Sequence, residues 1–374
     1  MKTKKALGMV MAAALTLTMF AGCSSGAKGS GSSGAAAGSS SAADSSSAAG
    51  ASNAASGAFK DAMVTDVGGI NDQSFNQGSW VGLQKFSKDN PGVEVKYLES
   101  KQASDYIPNI NQFANSNYNL IWGIGYNMED AIKQAVKAYP DINFGIVDDV
   151  ISPTPANLTC VTFRAQESSF VVGYIAALKT KTNNVGFIGG EKSTVIDGFE
   201  FGFRAGVAYG AKQLGKTITV QDQYANSYSD ASLGTSISKS MYANGADIIF
   251  AAAGNVGQGM ISEAKAEGKY CIGVDMDQSA LAPDSVITSA MKNVNTAVYD
   301  LSKQLKDGQK IGGKQYVFGL KEGGVGIPDT AQSKKLIGDD VYNKAIALES
   351  VIISGKITPP ADKASFDTYI ASLK

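Results

Sequence analysis

The chain has 374 residues, of which 44% are hydrophobic, and this length predicts about two domains with sizeable cores. Its 33 basic residues nearly balance its 34 acidic ones, so we expect no broad positive surface that would bind nucleic acid. The sequence contains no histidine, which excludes Ser-His-Asp and Cys-His catalysis and zinc sites built on imidazole.

The N-terminus has the features of a lipoprotein signal. A basic start at residues 1–5 precedes an apolar run at residues 6–20, and Ala21-Gly22-Cys23 follows directly. Small residues before a cysteine are similar to a bacterial lipobox, where the signal is removed and the cysteine thiol receives a diacylglycerol. We therefore expect residues 1–22 to be a signal peptide, and Cys23 to carry a lipid that anchors the chain at the extracytoplasmic face of the cell membrane.

A low-complexity segment follows the cysteine. Residues 24–57 are all Ser, Gly or Ala except Lys28, Asp44 and Asn53, and this composition cannot bury enough apolar surface to fold. A flexible chain of this length has a reach of roughly 30 to 35 Å. Residues 23–57 are thus expected to tether a folded body to the membrane.

From residue 58 onward, short apolar runs alternate with helical patterns. Strands are predicted at 60–66, 93–99, 120–124, 143–148, 159–163, 185–189, 218–223, 247–252, 270–275, 286–290 and 316–320. Helices are predicted at 75–88, 106–116, 128–138, 166–181, 195–213, 230–244, 258–267, 294–306 and 331–354. This alternation is typical of a doubly wound α/β fold with parallel sheets. Cys160 and Cys271 fall in strand patterns, where two separate buried thiols are favoured over a disulfide.

The number of strands predicts two sheets and therefore two lobes. We place the first break at residues 182–184, where a long helical pattern ends. Residues 58–182 and about 280–310 are assigned to an N-terminal lobe, and residues 183–279 and about 311–374 to a C-terminal lobe. Because open α/β sheets bind ligands beyond the carboxyl ends of their strands, two facing sheets would form a cleft.

Polar side chains follow several predicted strands. The acidic residues Asp66, Asp72, Asp148, Asp149 and Asp275 all stand at or just after such an end. Carboxylates there could accept hydrogen bonds from a neutral polyol, as an acidic strand-end residue binds ribose in dinucleotide folds. Coordination of Ca²⁺ or Mg²⁺ and capping of the next helix are the alternatives. No calcium-loop pattern is present, so no metal or other cofactor is predicted.

Two phenylalanines lie near the starts of helices that follow strands, one in each predicted lobe. Phe75 belongs to the segment 71–76, and Phe199 to the segment 197–203. One ring from each lobe could enclose a planar ligand, since aromatic stacking contributes about 1–3 kcal/mol per base. Packing in the core is the alternative for either ring.

Taken together, these segments resemble the basic membrane protein family, which includes PnrA-like nucleoside-binding lipoproteins of ABC importers. The resemblance begins near residue 59 and extends to the last helices. The segments that carry it are 66–76, 163–174, 252–259, 273–277 and 289–292. It implies a type I periplasmic-binding-protein fold, with two lobes, a hinge and a central cleft that closes on a nucleoside. It also implies ABC permease and ATPase subunits as partners and no enzymatic activity.

The resemblance further implies a role for each candidate site residue. The base would stack between Phe75 and Phe199. Its edge would be hydrogen-bonded by Asn71 or Asp72 and by Asp148 or Asp149. The sugar would be lined by Gly254 and Val256, and its hydroxyls held by Asp275 and Lys292. Another neutral solute such as a sugar or autoinducer, or a surface role as adhesin or sensor, remains an alternative.

Overall fold

The computed structural model describes residues 58–373, so the predicted signal peptide, Cys23 and the tether lie outside the described residues. The strands are β1 (Lys60–Val64), β2 (Glu94–Leu98), β3 (Leu120–Ile124), β4 (Asn143–Val147), β5 (Leu158–Phe163), β6 (Asn184–Gly189), β7 (Thr219–Tyr224), β8 (Ile248–Ala252), β9 (Tyr270–Asp275), β10 (Val286–Lys292), β11 (Lys314–Phe318) and β12 (Val325–Gly326). The α-helices are α1 (Phe75–Asp89), α2 (Tyr106–Ala114), α3 (Glu129–Ala138), α4 (Ala165–Lys179), α5 (Thr194–Leu214), α6 (Ala231–Ala243), α7 (Asn255–Glu267), α8 (Val294–Lys306), α9 (Ala331–Ile337), α10 (Asp339–Ile353) and α11 (Lys363–Ser372).

The strands form two six-stranded sheets, in the orders β11-β5-β4-β3-β1-β2 and β12-β10-β9-β8-β6-β7. Neighbouring strands are parallel except for the short antiparallel pair of β10 and β12. The central strands β3 and β8 are buried at every position, whereas the edge strands β2 and β7 are polar and partly exposed. Strands that are apolar on both faces are covered by helices on both sides, so the predicted two-lobe α/β fold is confirmed.

The chain crosses between the two lobes three times. After β5, helix α4 leaves the first sheet and packs against α5 and β10 of the second lobe. After β10, helix α8 returns to pack against α1, and the third crossing lies between β11 and β12. Such repeated crossings leave each lobe built from separate stretches of sequence.

These crossings differ from the expected lobe boundaries. Within residues 280–310, α8 does lie in the first lobe, but β10 pairs with β9 in the second sheet. Strand β11, assigned by sequence to the C-terminal lobe, pairs with β5 in the first sheet, and α4 packs in the second lobe. Both sheets accept parallel apolar strands, so the local pattern of a strand does not specify which sheet it joins.

The C-terminal helices also differ in detail from the expectation. The single helix predicted at 331–354 is divided into α9 and α10 at Gly338, whose φ of 83° is incompatible with a continuing right-handed helix. Strand β12 and helix α11 were not predicted. Cys160 and Cys271 are buried free thiols, as expected. Across residues 58–373, no helix combines the length and apolarity that a membrane span requires.

Asp61 of β1 is fully buried in the first lobe. Ser302 of α8 and Trp122 of β3 lie beside it, and the Trp122 indole donates to the Ser302 hydroxyl at 3.2 Å. Burial raises the pKa of Asp61 from 3.8 to about 8, an effect that these polar neighbours only partly offset. The native state therefore holds this carboxyl in its neutral form at pH values where the unfolded chain ionises it.

We expect the advantage of Asp61→Asn over the wild type in the free energy of unfolding to grow by on the order of 5 kcal/mol between pH 4 and pH 8. Because the folded pKa is raised, the stability of the wild type is lost as the pH rises from about 4 to about 8. Urea denaturation of both proteins across this range checks the expectation. A stability difference that does not grow with pH would contradict it.

Candidate ligand-binding cleft

The carboxyl ends of both sheets border a common cleft, the edge at which open α/β sheets bind ligands. The cavity in this cleft encloses about 560 Å³ of space between atoms, part of which is open to solvent. Both lobes contribute to its wall. The lining residues are Asp66, Gly68, Asp72, Phe75, Asn76, Gly125, Tyr126, Asn127, Asp148, Val195, Ile196, Phe199, Tyr228, Ala252, Ala253, Gly254, Val274, Asp275 and Lys292.

Most of the contact residues proposed from sequence lie together on this wall. They are Asp72, Phe75, Asp148, Phe199, Gly254, Asp275 and Lys292. Each of them stands at the end of a strand, in the loop that follows it, or within the first turns of the next helix. The topology of parallel sheets thus brings distant stretches of sequence to one place.

Three of the proposed residues do not line the cavity. Asn71 is exposed at the rim, where its main-chain carbonyl accepts a hydrogen bond from Gln258 at 3.1 Å. Asp149 lines a second, neighbouring cavity that shares Asp148 with the first. Val256 is completely buried in the core of the second lobe. For the two paired alternatives, the structure therefore favours Asp72 over Asn71 and Asp148 over Asp149.

The two phenylalanines approach the cavity from opposite lobes. Phe75 begins α1 in the first lobe, and Phe199 lies in the second turn of α5 in the other. The Lys292 ammonium lies 4.2 Å from the centre of the Phe75 ring and 5.5 Å from that of Phe199. Both ring faces are therefore within reach of one point in the cleft, and the lysine makes cation–π contacts with both.

An ion triad joins the lobes beside these rings. Lys292, the last residue of β10, lies with its ammonium 2.5 Å from the carboxylate of Asp148 and 3.6 Å from that of Asp275. The Ser74 hydroxyl of the first lobe also donates to the Asp275 carboxylate. All three charged residues are at least nine-tenths buried. Asp148 and Ser74 belong to the first lobe and Lys292 and Asp275 to the second, so these contacts cross the cleft.

Burial and charge act against each other in this triad. Burial alone would lower the pKa of Lys292, but Asp148 and Asp275 outweigh it and raise that pKa above its ordinary value. Burial raises the pKa of Asp275, and Lys292 and Ser74 only partly offset this. The ammonium thus stays charged, and one buried oxygen of the Asp275 carboxylate has no hydrogen-bond partner among the described residues and is free to accept one.

Asp148 and Asp275 occupy equivalent positions in the two lobes. Asp148 directly follows β4, and Asp275 ends β9. Their φ angles of 66° and 63° lie in the left-handed region, which is uncommon for residues other than glycine. Gly254, after β8, has a φ of 56°, and a side chain there would approach the Tyr228 carbonyl to 2.9 Å. Strained backbone of this kind concentrates at functional sites.

Asp72 and Asp66 shape the wall in the first lobe. The Asp72 carboxylate accepts hydrogen bonds from the main-chain amides of Ser74, Asn76 and Gln77, so it also caps the start of α1. Asp66 accepts from the Gly68 amide and the Asn76 side chain, each at 2.8 Å. Burial raises the pKa of Asp66 to about 6.

Sequence reasoning did not assign several of the lining residues to the site. The most conspicuous are Tyr126 and Tyr228, whose hydroxyls lie 2.8 Å apart across the cleft. Each stands a few residues beyond a strand end, after β3 and β7 respectively. Taking every residue of the strand-end loops into account, and not only the acidic ones, would have found both tyrosines.

The carboxylates do not form a metal site. No group of three or more Cys, Asp or Glu side chains in the described part of the chain is arranged to hold a metal ion. The one basic residue among the described lining residues is Lys292, against four aspartates. This balance disfavours a ligand that carries a strong negative charge.

Comparisons with known proteins agree with this geometry. Residues 59–363 match the family model described as ABC transporter substrate-binding protein PnrA-like. The chain is 41% identical over 323 residues to the ABC transporter nucleoside-binding protein BmpA of Lactococcus lactis, covering 81% of this chain and 89% of that protein. It is 41% identical over 322 residues to the CD4+ T-cell-stimulating antigen of Listeria monocytogenes, covering 81% and 88%.

A solved structure is similar over the same region. The crystal structure of an ABC transporter solute-binding protein from Aeropyrum pernix superposes with a TM-score of 0.75 at 25% identity. The superposition covers 84% of this chain and 97% of that one. The two-lobe architecture is therefore shared with solute-binding proteins of transporters.

Proposed function

The chain belongs to the PnrA-like family of ABC transporter substrate-binding proteins, and from this premise we propose that its ligand is a nucleoside. Members of this family bind substrates and are not enzymes, and they act outside the cytoplasm. In this function, the protein captures a nucleoside by closure of its lobes and delivers it to an ABC permease with its ATPase. The name of the Lactococcus relative, a nucleoside-binding protein, supports this choice.

The observation that carries the proposal is the pair of rings on opposite lobes beside a buried ion triad. Phe75 and Phe199 would hold the flat base between them on closure. Asp72 and Asp148 would accept hydrogen bonds from its edge, and Gly254 would leave room for the sugar. A nucleoside combines a flat apolar face with neutral hydroxyls, which matches this wall.

Asp275 and Lys292 would hold the ribose. The Lys292 ammonium and Asp275 carboxylate lie 3.6 Å apart, so hydroxyls could donate to the acid and accept from the amine. Asp66, Asp72, Asp148 and Asp275 all line the cavity, and their carboxylates would repel a phosphate. The proposed ligand is therefore the nucleoside and not its phosphorylated forms.

The proposal includes a membrane anchor. A signal peptide at residues 1–22, a lipid on Cys23 and a tether to residue 57 would keep the folded body beside the permease. Tethering raises the effective concentration of the loaded protein at its partner.

We expect Cys23→Ala to release the protein from the membrane, because its one proposed lipid site is removed. Fractionation of cells that express each form, followed by immunoblotting, measures the membrane-bound share. The control is Ser24→Ala, which leaves the cysteine in place. Equal membrane association of all three proteins would contradict lipidation at Cys23.

We expect Phe75→Ala to weaken nucleoside binding by about 1–3 kcal/mol, since it removes one stacking surface. Isothermal titration calorimetry with inosine and uridine measures the loss. Phe199→Leu is the matching change in the second lobe, because Phe199 also packs against Phe250 and a leucine keeps part of that contact.

Phe201→Ala is the control. Phe201 lies on the same helix as Phe199, but its ring packs against Phe366 and does not line the cavity. We expect it to leave affinity unchanged. If the Phe75→Ala and Phe199→Leu variants bind nucleosides as tightly as the wild type does, the proposed stacking of the base between the two rings is wrong.

We expect Asp275→Asn to weaken the binding of ribonucleosides by about 1.5–3 kcal/mol, because a hydrogen bond to a charged group is lost. Free nucleobases, which lack the hydroxyls, should lose much less. Asp277→Asn is the control, since its carboxylate contacts Ser279 and Thr330 away from the cavity. Equal calorimetric losses for ribonucleosides and bases would show that Asp275 does not hold the sugar.

A further inference from the structure

The loop between β1 and α1 meets the second lobe at the rim of the cleft. Three of its main-chain carbonyls accept hydrogen bonds from amide side chains of the opposite lobe. The pairs are Asn255 to Gly68 at 2.7 Å, Gln258 to Asn71 at 3.1 Å and Gln278 to Gln73 at 2.8 Å. One loop is thus held at three points along its length.

The accepting loop has a fixed shape within its own lobe. Gly69 and Gln73 adopt φ values of 71° and 53°, which turn the chain sharply. The Ile70 amide donates to Glu99 at 2.8 Å, and Asp72 caps α1. These contacts orient the carbonyls before the other lobe arrives, so closing the cleft costs little further ordering of the loop.

The donors are held in place as well. Asn255 and Gln258 lie in the first turn of α7, and the Gln258 amide also donates to the Asn255 side chain at 2.6 Å. Gln278 is buried, and its side-chain oxygen accepts from the Val274 amide at 3.0 Å. Each amide group therefore has one partner in its own lobe and one across the cleft.

None of these three side chains lines the cavity. Their cross-lobe bonds can form only when the lobes meet, whatever molecule lies between them. We propose that Asn255, Gln258 and Gln278 form a latch that stabilises the closed state and sets its population, independently of ligand identity. A ligand that binds only the closed state loses affinity in proportion to the fraction of molecules that are open.

This inference rests on the proposed function in one respect, since a nucleoside is used as the ligand. Removing part of the latch should lower the binding affinity for every nucleoside by the same factor. Residues that touch the base or sugar would instead change the ratio between ligands. The unloaded protein should also become more open, which can be observed with no ligand present.

The test compares the full chain with the double variant Asn255→Leu/Gln258→Met, which removes two donors and keeps similar side-chain volumes. The matched control is Gln332→Met, whose amide donates to the Pro283 carbonyl at 2.5 Å within the second lobe. Small-angle X-ray scattering gives the radius of gyration without ligand and with saturating inosine. Calorimetry gives the affinities for inosine and uridine.

We expect the double variant to have a larger radius of gyration than the wild type without ligand, and to contract on adding inosine. Its affinity for both nucleosides should fall about 10-fold, as two neutral hydrogen bonds are lost, with their ratio unchanged. The control should match the wild type in both measurements.

Two results would overturn the latch: a ligand-free radius of gyration equal to that of the control, or an altered ratio of the two affinities. A wild-type protein that binds no nucleoside would contradict the proposed function instead, while the ligand-free scattering would still decide on the latch.

Discussion

The site depends on one buried ammonium shared between two lobes. Lys292 of the second sheet is paired with Asp148 of the first and with Asp275 of its own, and both phenylalanine rings face it. Removing such charges from water is costly, and partners on both sides of the cleft are needed to offset the cost. The charges are best satisfied when the lobes meet, or when a ligand supplies hydroxyls in their place. In the proposed function, closure and recognition therefore use the same groups.

The topology allows this closure without disturbing either core. The lobes are joined at three crossings, after β5, after β10 and between β11 and β12. At the crossings the Arg164 amide donates to the Phe318 carbonyl and the Asn293 amide to the Gly324 carbonyl, each at 2.8 Å. Adjacent crossings are thus bonded to each other, and a small bend there would move each lobe as a unit.

Local patterns in the sequence were sufficient for the elements and for the edge at which the site lies. Apolar runs such as β8 predicted buried parallel strands, and parallel strands place their carboxyl ends together. Those patterns did not predict which sheet each strand joins, because β10 and β11 fit either sheet equally well. Which of two adjacent side chains faces the cavity also depends on long-range packing, as Asp148 and Asp149 show. Tyr126 and Tyr228 were missed because their position beyond a strand end, and not their residue type, is what indicates the site.

The central claim is that the lobes close on an uncharged nucleoside. It is tested most directly by mass spectrometry of the small molecules released when the purified protein is denatured. We expect a nucleoside, at up to one molecule per chain, and no nucleotide. Release of a sugar or of a phosphorylated compound in that proportion would contradict the account.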